Sequence, residues 1–130
     1  MNRSLTIALT LLVCCGCATT STNSIRMNGL ELAPRPAGSP VTLYSTEPPG
    51  AKELGRVRAS KRGATAFSSV NEDDVLPLLK EEARKLGGNG IVSVSFEGYH
   101  AASLNGRPNI PAVRASGIAI LVPDSSGTAK

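Results

Sequence analysis

The stretch Glu72-Asp73-Asp74-Val75-Leu76-Pro77-Leu78-Leu79-Lys80-Glu81-Glu82-Ala83-Arg84-Lys85-Leu86-Gly87-Gly88-Asn89-Gly90-Ile91-Val92-Ser93-Val94-Ser95-Phe96-Glu97 decides the fold. In its first half Val75, Leu78, Leu79, Ala83 and Leu86 recur at helical spacing, with Lys80, Glu81, Arg84 and Lys85 outside that stripe, so one side of a helix is apolar and the other charged. Asp74 reads as the N-cap, Glu72 and Asp73 suit the positive end of the helix dipole, and Pro77 then falls in the first turn, where a missing N–H costs nothing. Gly87-Gly88 stops the helix. The period then changes from 3.6 to 2: Gly90 to Glu97 alternates, which predicts a strand with Val92, Val94 and Phe96 toward the helix and Ser93, Ser95 and Glu97 away from it. Turning a helix straight into a neighbouring strand calls for left-handed backbone, which Gly87 and Asn89 accept.

Working outward, Val41-Thr42-Leu43-Tyr44 is rich in strand formers and ends at the turn Glu47-Pro48-Pro49-Gly50. A second strand is expected over Glu53 to Ala59, with Leu54 and Val57 inward and Arg56 and Arg58 sharing the other face. Ser60 to Asn71 shows no period and reads as a loop. His100 to Ala112 contains Asn105-Gly106, Arg107-Pro108 and Ile110-Pro111 and reads as another loop. A last strand, Val113 to Val122, puts Ile118, Ile120 and Val122 on one face and ends at Pro123. Two strands, a helix and a long hairpin give the α+β class, one helix packed on a small, mainly antiparallel sheet.

The ends of the chain say where such a domain is placed. Arg3 followed by an apolar run from Leu5 to Cys15 has the layout of a secretory signal, and the run is shorter than the roughly 20 residues needed to span a bilayer. It closes on Val13-Cys14-Cys15-Gly16-Cys17, similar to a bacterial lipobox with Cys14 where Leu is usual, which makes Cys17 the expected lipidation site and residues 1–16 the lipoprotein signal peptide. The three cysteines, Cys14, Cys15 and Cys17, all lie here, so the mature chain is expected to have no disulfide. Ala18 is not the Asp associated with inner-membrane retention in enteric bacteria, so the expected place is the outer membrane, facing the periplasm. Residues 17–40 are rich in Ser, Thr, Pro, Gly and Asn and read as the lipidated cysteine and a flexible tether, with an edge strand around Met27, Leu30 and Leu32 as the alternative. Residues 41–123 form the globular domain and 124–130 a disordered tail.

The pattern made by Val41-Thr42-Leu43-Tyr44, Glu53-Leu54-Gly55-Arg56-Val57, the helix running into Leu86-Gly87-Gly88-Asn89-Gly90-Ile91-Val92, and Ala115-Ser116-Gly117-Ile118-Ala119-Ile120 resembles the YbjQ-like / RcsF-like envelope lipoprotein superfamily, whose domain is often labelled heavy-metal-binding. The resemblance covers about Val41 to Val122, and its motifs are structural. It implies an α+β domain and a role in envelope stress sensing. The metal label finds no Cys or His cluster in this chain.

Composition narrows the function further. The chain has 14 Lys and Arg against 10 Asp and Glu, a net charge of +4, too little for a nucleic-acid-binding protein. His100 is the only histidine, and one imidazole beside Glu97 does not make a metal site. Glu72, Asp73 and Asp74 are explained as helix-start acids. Gly87-Gly88-Asn89-Gly90 follows a helix, whereas a phosphate loop precedes one. Ser93 and Ser95 have no base at suitable spacing. No catalytic residue, metal ligand or cofactor is expected. The remaining candidate is the cluster Arg56, Arg58, Lys61 and Arg62, suited to lipopolysaccharide phosphates or an acidic protein surface, the alternative being a charged edge strand that repels other chains. The chain is thus expected to be a non-enzymatic lipoprotein, held to the bilayer by its acyl chains, whose domain binds an envelope protein. The alternatives are a structural lipoprotein in an oligomeric envelope assembly, including a homo-oligomer, and a metal-binding or small hydrolytic domain.

Overall fold

A computed structural model describes residues 18–101 and 110–124. The helix α1 (Glu72–Lys85) starts after Asn71, whose extended backbone makes it the N-cap. The Asn71 N–H donates to Asp74 Oδ2 at 2.8 Å, and the Asp74 N–H donates to the Asn71 carbonyl at 3.1 Å. Asp74 therefore serves the helix start from the third helical position, reaching back to a backbone N–H that has no partner inside the helix, and is not itself the cap as expected. Pro77 accordingly lies inside the helix, beyond the first turn. The bond it forgoes is to the Asp73 carbonyl, and both residues are exposed, so water can serve that oxygen.

The other end of α1 follows the glycines. Gly87 has φ +87°, its N–H donates to the Arg84 carbonyl and that of Gly88 to the Ala83 carbonyl, both at 2.9 Å. This is a Schellman closure with glycine at the left-handed position. Asn89 does not share that conformation. It works through its amide: Nδ2 donates to the Val122 carbonyl at 2.8 Å and Oδ1 accepts from the Val122 N–H at 2.7 Å.

The sheet has five strands, β1 (Thr19–Arg26), β2 (Thr42–Tyr44), β3 (Lys52–Arg62), β4 (Gly90–Ala101) and β5 (Ile110–Leu121), in the order β1-β3-β5-β4-β2. β2 runs parallel to β4 and every other pairing is antiparallel. One helix on a mixed, mostly antiparallel open sheet is the α+β architecture expected. α1 lies mainly over β3 and β5. Between the layers Val57, Val75, Leu79, Ala83, Ile91, Ala115 and Ala119 are fully buried.

Several elements differ from the expectation. Residues 19–26 are not part of a tether; they pair along their whole length with β3, from Thr19 opposite Arg62 to Arg26 opposite Gly55. Backbone hydrogen bonding holds this strand, since its side chains are nearly all exposed and carry no hydrophobic signal. The following segment is docked too. Leu32 packs on the core, the Arg35 N–H donates to the Arg84 carbonyl at 2.9 Å, its Nε donates to the Gly87 carbonyl at 3.2 Å, and Arg84 Nε donates to the Ser39 carbonyl at 2.6 Å. The expected loop from His100 to Ala112 is shortened at both ends, because Tyr99, His100 and Ala101 pair with Ala112, Pro111 and Ile110.

The phase of β4 also shifts. Its register slips between Val92 and Ser95, and Ser93 sits at φ +54°. This β-bulge breaks the alternation, so Ile91, Val94 and Phe96 face the helix, and Val92 belongs to the opposite side with Ile118, its cross-strand partner. The segment expected to be a signal peptide (residues 1–16), the expected lipidation site Cys17, residues 102–109 and residues 125–130 of the expected tail lie outside the described residues.

Candidate functional site

Strand alternation divides the basic cluster. Arg56, Arg58 and Arg62 point to the side of the sheet away from α1, whereas Lys61 points under the helix start, where its Nζ meets Asp74 Oδ1 at 3.3 Å. The Asp74 carboxyl is held below its usual range, first by the Asn71 N–H and then by the Lys61 ammonium. Lys61 is thus occupied in structure, and the four charges expected as one patch do not form one.

The open side gains a residue from β5 instead. Registers place side chains on this face in four cross-strand rows: Thr19, Arg62, Ala112 and Tyr99; Ser21, Ser60, Arg114 and Glu97; Asn23, Arg58, Ser116 and Ser95; Ile25, Arg56, Ile118 and Val92. Arg114 lies 3.6 Å from Glu97 and stacks 4.9 Å from the centroid of the Tyr99 ring. The Ser95 and Ser116 hydroxyls are hydrogen-bonded at 2.9 Å. Among the described residues Arg56, Arg58 and Arg62 have no carboxylate within salt-bridge distance. Arg56 and Arg58 border a shallow depression of about 200 Å³ with Ser93, Ser116 and Ile118, and Arg58 and Arg114 border a neighbouring one with Ser21, Asn23 and Ser60. Exposed guanidinium groups beside hydroxyls and a side-chain amide form a surface of donors, matched to carboxylate or phosphate oxygens.

β3 is an interior strand, flanked by β1 and β5, so edge protection does not account for its arginines. Arg114 was not among the sequence candidates, although alternation along Val113 to Val122 would have placed it with Ser116; what sequence lacked was the register that sets it opposite Ser60.

The other candidates resolve simply. Glu97 and His100 fall on opposite faces of β4, three residues apart on an alternating strand, and Glu97 turns to Arg114. Glu72 and Asp73 rim a groove floored by Val70, Phe96 and Val113. No group of three His, Cys, Asp or Glu among the described residues is arranged to hold a metal ion. Nor is any described helix long and apolar enough to cross a membrane. Glu82 is the one buried charged residue among those described; its carboxylate accepts from Lys85 Nζ at 2.6 Å, which raises the Lys85 ammonium above its ordinary value.

The fold defines an α+β domain with one covered and one open sheet face. No family model matches the chain and no curated protein matches it. Among solved structures it is similar to a protein of unknown function of the DUF74 family from Pediococcus pentosaceus ATCC 25745, with 20% identity and a TM-score of 0.49 over 64% of this chain and 97% of that one. It is also similar to the Francisella virulence factor FvfA, with 16% identity and a TM-score of 0.43 over 76% of this chain and 97% of that one.

Proposed function

We propose that this chain is a membrane-anchored envelope lipoprotein, of the YbjQ-like / RcsF-like kind, whose small domain binds a protein partner in a role such as envelope stress sensing and performs no chemistry of its own. The observation that carries the reading is the open sheet face, where Arg56 and Arg58 stand exposed without acidic partners among the described residues. Unpaired surface charge of one sign steers and orients an oppositely charged surface more than it stabilises its own fold. An acidic protein surface is therefore the expected counterpart. A photo-crosslinking residue at Ser95, on the open face, should capture an envelope protein in cells that one at Lys80, on the outer side of α1, does not. Equal capture from the two positions would remove the argument for this face.

One observation favours a second reading, a structural lipoprotein within an oligomeric assembly. β1 is an edge strand of eight residues with no proline and a single charge, Arg26, so its outer edge is free to pair with another chain. Sedimentation of the full chain distinguishes the two, since a concentration-dependent oligomer supports assembly and a monomer supports partner binding.

A further inference from the structure

The start of β1 orients the molecule. Thr19 is two residues beyond Cys17, and two residues span at most about 7 Å, so a lipid on Cys17 holds the Thr19 end of the sheet against the bilayer surface. This argument rests on the lipoprotein reading above. Because the rows repeat every two residues, at about 3.3 Å per residue, the row with Arg62 lies at the anchored end and the row with Arg56 about 20 Å farther away.

That anchored end carries two independent features suited to a lipid surface. Arg62 pairs directly with Thr19, in front of the row where Glu97 holds Arg114. The chain leaving Arg62 runs along the same end, since the Gly63 N–H donates to the Pro111 carbonyl just beyond the Arg62 row, and it presents Phe67 with 97% of its surface exposed. No other large apolar side chain among those described is so exposed; the next is Ile25 at 56%. An exposed phenylalanine with no partner in the fold, on the loop that leaves Arg62 at that end, has the chemistry of an interfacial membrane contact, where the ring enters the headgroup boundary and a nearby cation meets phosphate oxygens.

We infer that the Thr19 end of the domain is a membrane-contact tip, in which Phe67 inserts between anionic phospholipid headgroups and Arg62 binds their phosphates, leaving Arg56 and Arg58 raised toward the partner. Glu72 and Asp73 are on the helix layer of that end, and on the opposite face Glu97 is taken up by Arg114, which leaves Arg62 as the cation there without a carboxylate partner among the described residues. Each basic residue near such a surface is worth about a fivefold change in partitioning.

The chain has no tryptophan, so single Trp reporters test the tip directly. The full acylated chain is placed in vesicles of phosphatidylethanolamine and phosphatidylglycerol containing a lipid with a nitroxide on its headgroup. Phe67→Trp should emit at shorter wavelength than in water and be strongly quenched, while Tyr44→Trp, beside Val92 at the far end, should be quenched little. Adding Arg62→Glu to Phe67→Trp should reduce the quenching, most at low salt. Equal quenching of the two reporters in vesicle-bound protein overturns the tip. A blue shift that needs no lipid and grows with protein concentration overturns it too, assigning Phe67 to a contact between copies. Palmitate incorporation is read on the same samples: labelled, vesicle-bound protein with an unquenched Phe67→Trp fails the tip alone, whereas unlabelled, unbound protein fails the anchor and this orientation with it.

Discussion

Single side chains in this domain are explained by which layer they enter. Leu79 is fully buried between α1 and the sheet, and its helical phase follows from the Val75, Leu79, Ala83 and Leu86 spacing alone. Leu79→Ala should cost about 2 to 5 kcal/mol, a large part of the stability of a small domain, and Lys80→Ala should hardly change the denaturation midpoint. Asp74 ties the Asn71 N–H and Lys61 together, and its folded value is lowered. A lowered carboxyl stabilises fully above its unfolded value of about 4, and that contribution disappears as the pH falls through the folded value. Asp74→Asn should thus be less stable than the parent at neutral pH, and the gap between their denaturation midpoints should close on acidification below about pH 4. Ser93 is a different matter. Its φ of +54° at a bulge gave no compositional sign, because serine in an alternating run reads as an ordinary outward residue. A β-branched side chain tolerates this conformation poorly, so Ser93→Val should destabilise by about 1 to 3 kcal/mol while Ser93→Gly is accommodated, as thermal unfolding would record.

Elements were legible where a periodic face meets a buried layer, and illegible where backbone pairing alone makes the element. The helix, its glycine stop, the strand after it and the inward Val57 and Ala59 follow from spacing, whereas Leu54 joins Val57 on the inner face through a register irregularity between Glu53 and Gly55. β1 does not, since Thr19 to Arg26 is nearly all exposed and its composition matches a linker as well as an edge strand. The side assigned to Val92 fails for another reason: a bulge inserts a residue without altering the apolar content of the run. Gly55 offers the sharpest check on β1, because a Cβ there would strike the Ile25 carbonyl oxygen across the strand pair. Gly55→Ala should free the Arg26 end of β1, and limited proteolysis should then cut between Asn23 and Leu30 in the variant far faster than in the parent. Equal cleavage rates would mean β1 is not paired with β3 as described.

On the scale of the whole molecule, the helix makes one sheet face a core and leaves on the other a surface of arginines, serines and an asparagine, bordered by the apolar row of Ile25, Ile118 and Val92. Half of that face was visible in the sequence, through the alternation of Arg56 and Arg58. The rest was not: alternation takes Lys61 out of the cluster only if the strand runs on to Arg62, whereas Ser60 to Asn71 reads as a loop, and Arg114 joins from 52 residues beyond Arg62, through strand order and register that no local pattern encodes. The account stands on this face being a binding surface. Arg56 and Arg58 are both exposed, so combining Arg56→Glu with Arg58→Glu should leave circular dichroism and the thermal midpoint near those of the parent. The decisive measurement is the yield of envelope protein captured by a crosslinker at Ser95 in the doubly reversed chain against the parent, at low and high salt. The account predicts a marked loss of capture, larger at low salt where exposed charges are less screened; the same partner at the same yield from both proteins would contradict it.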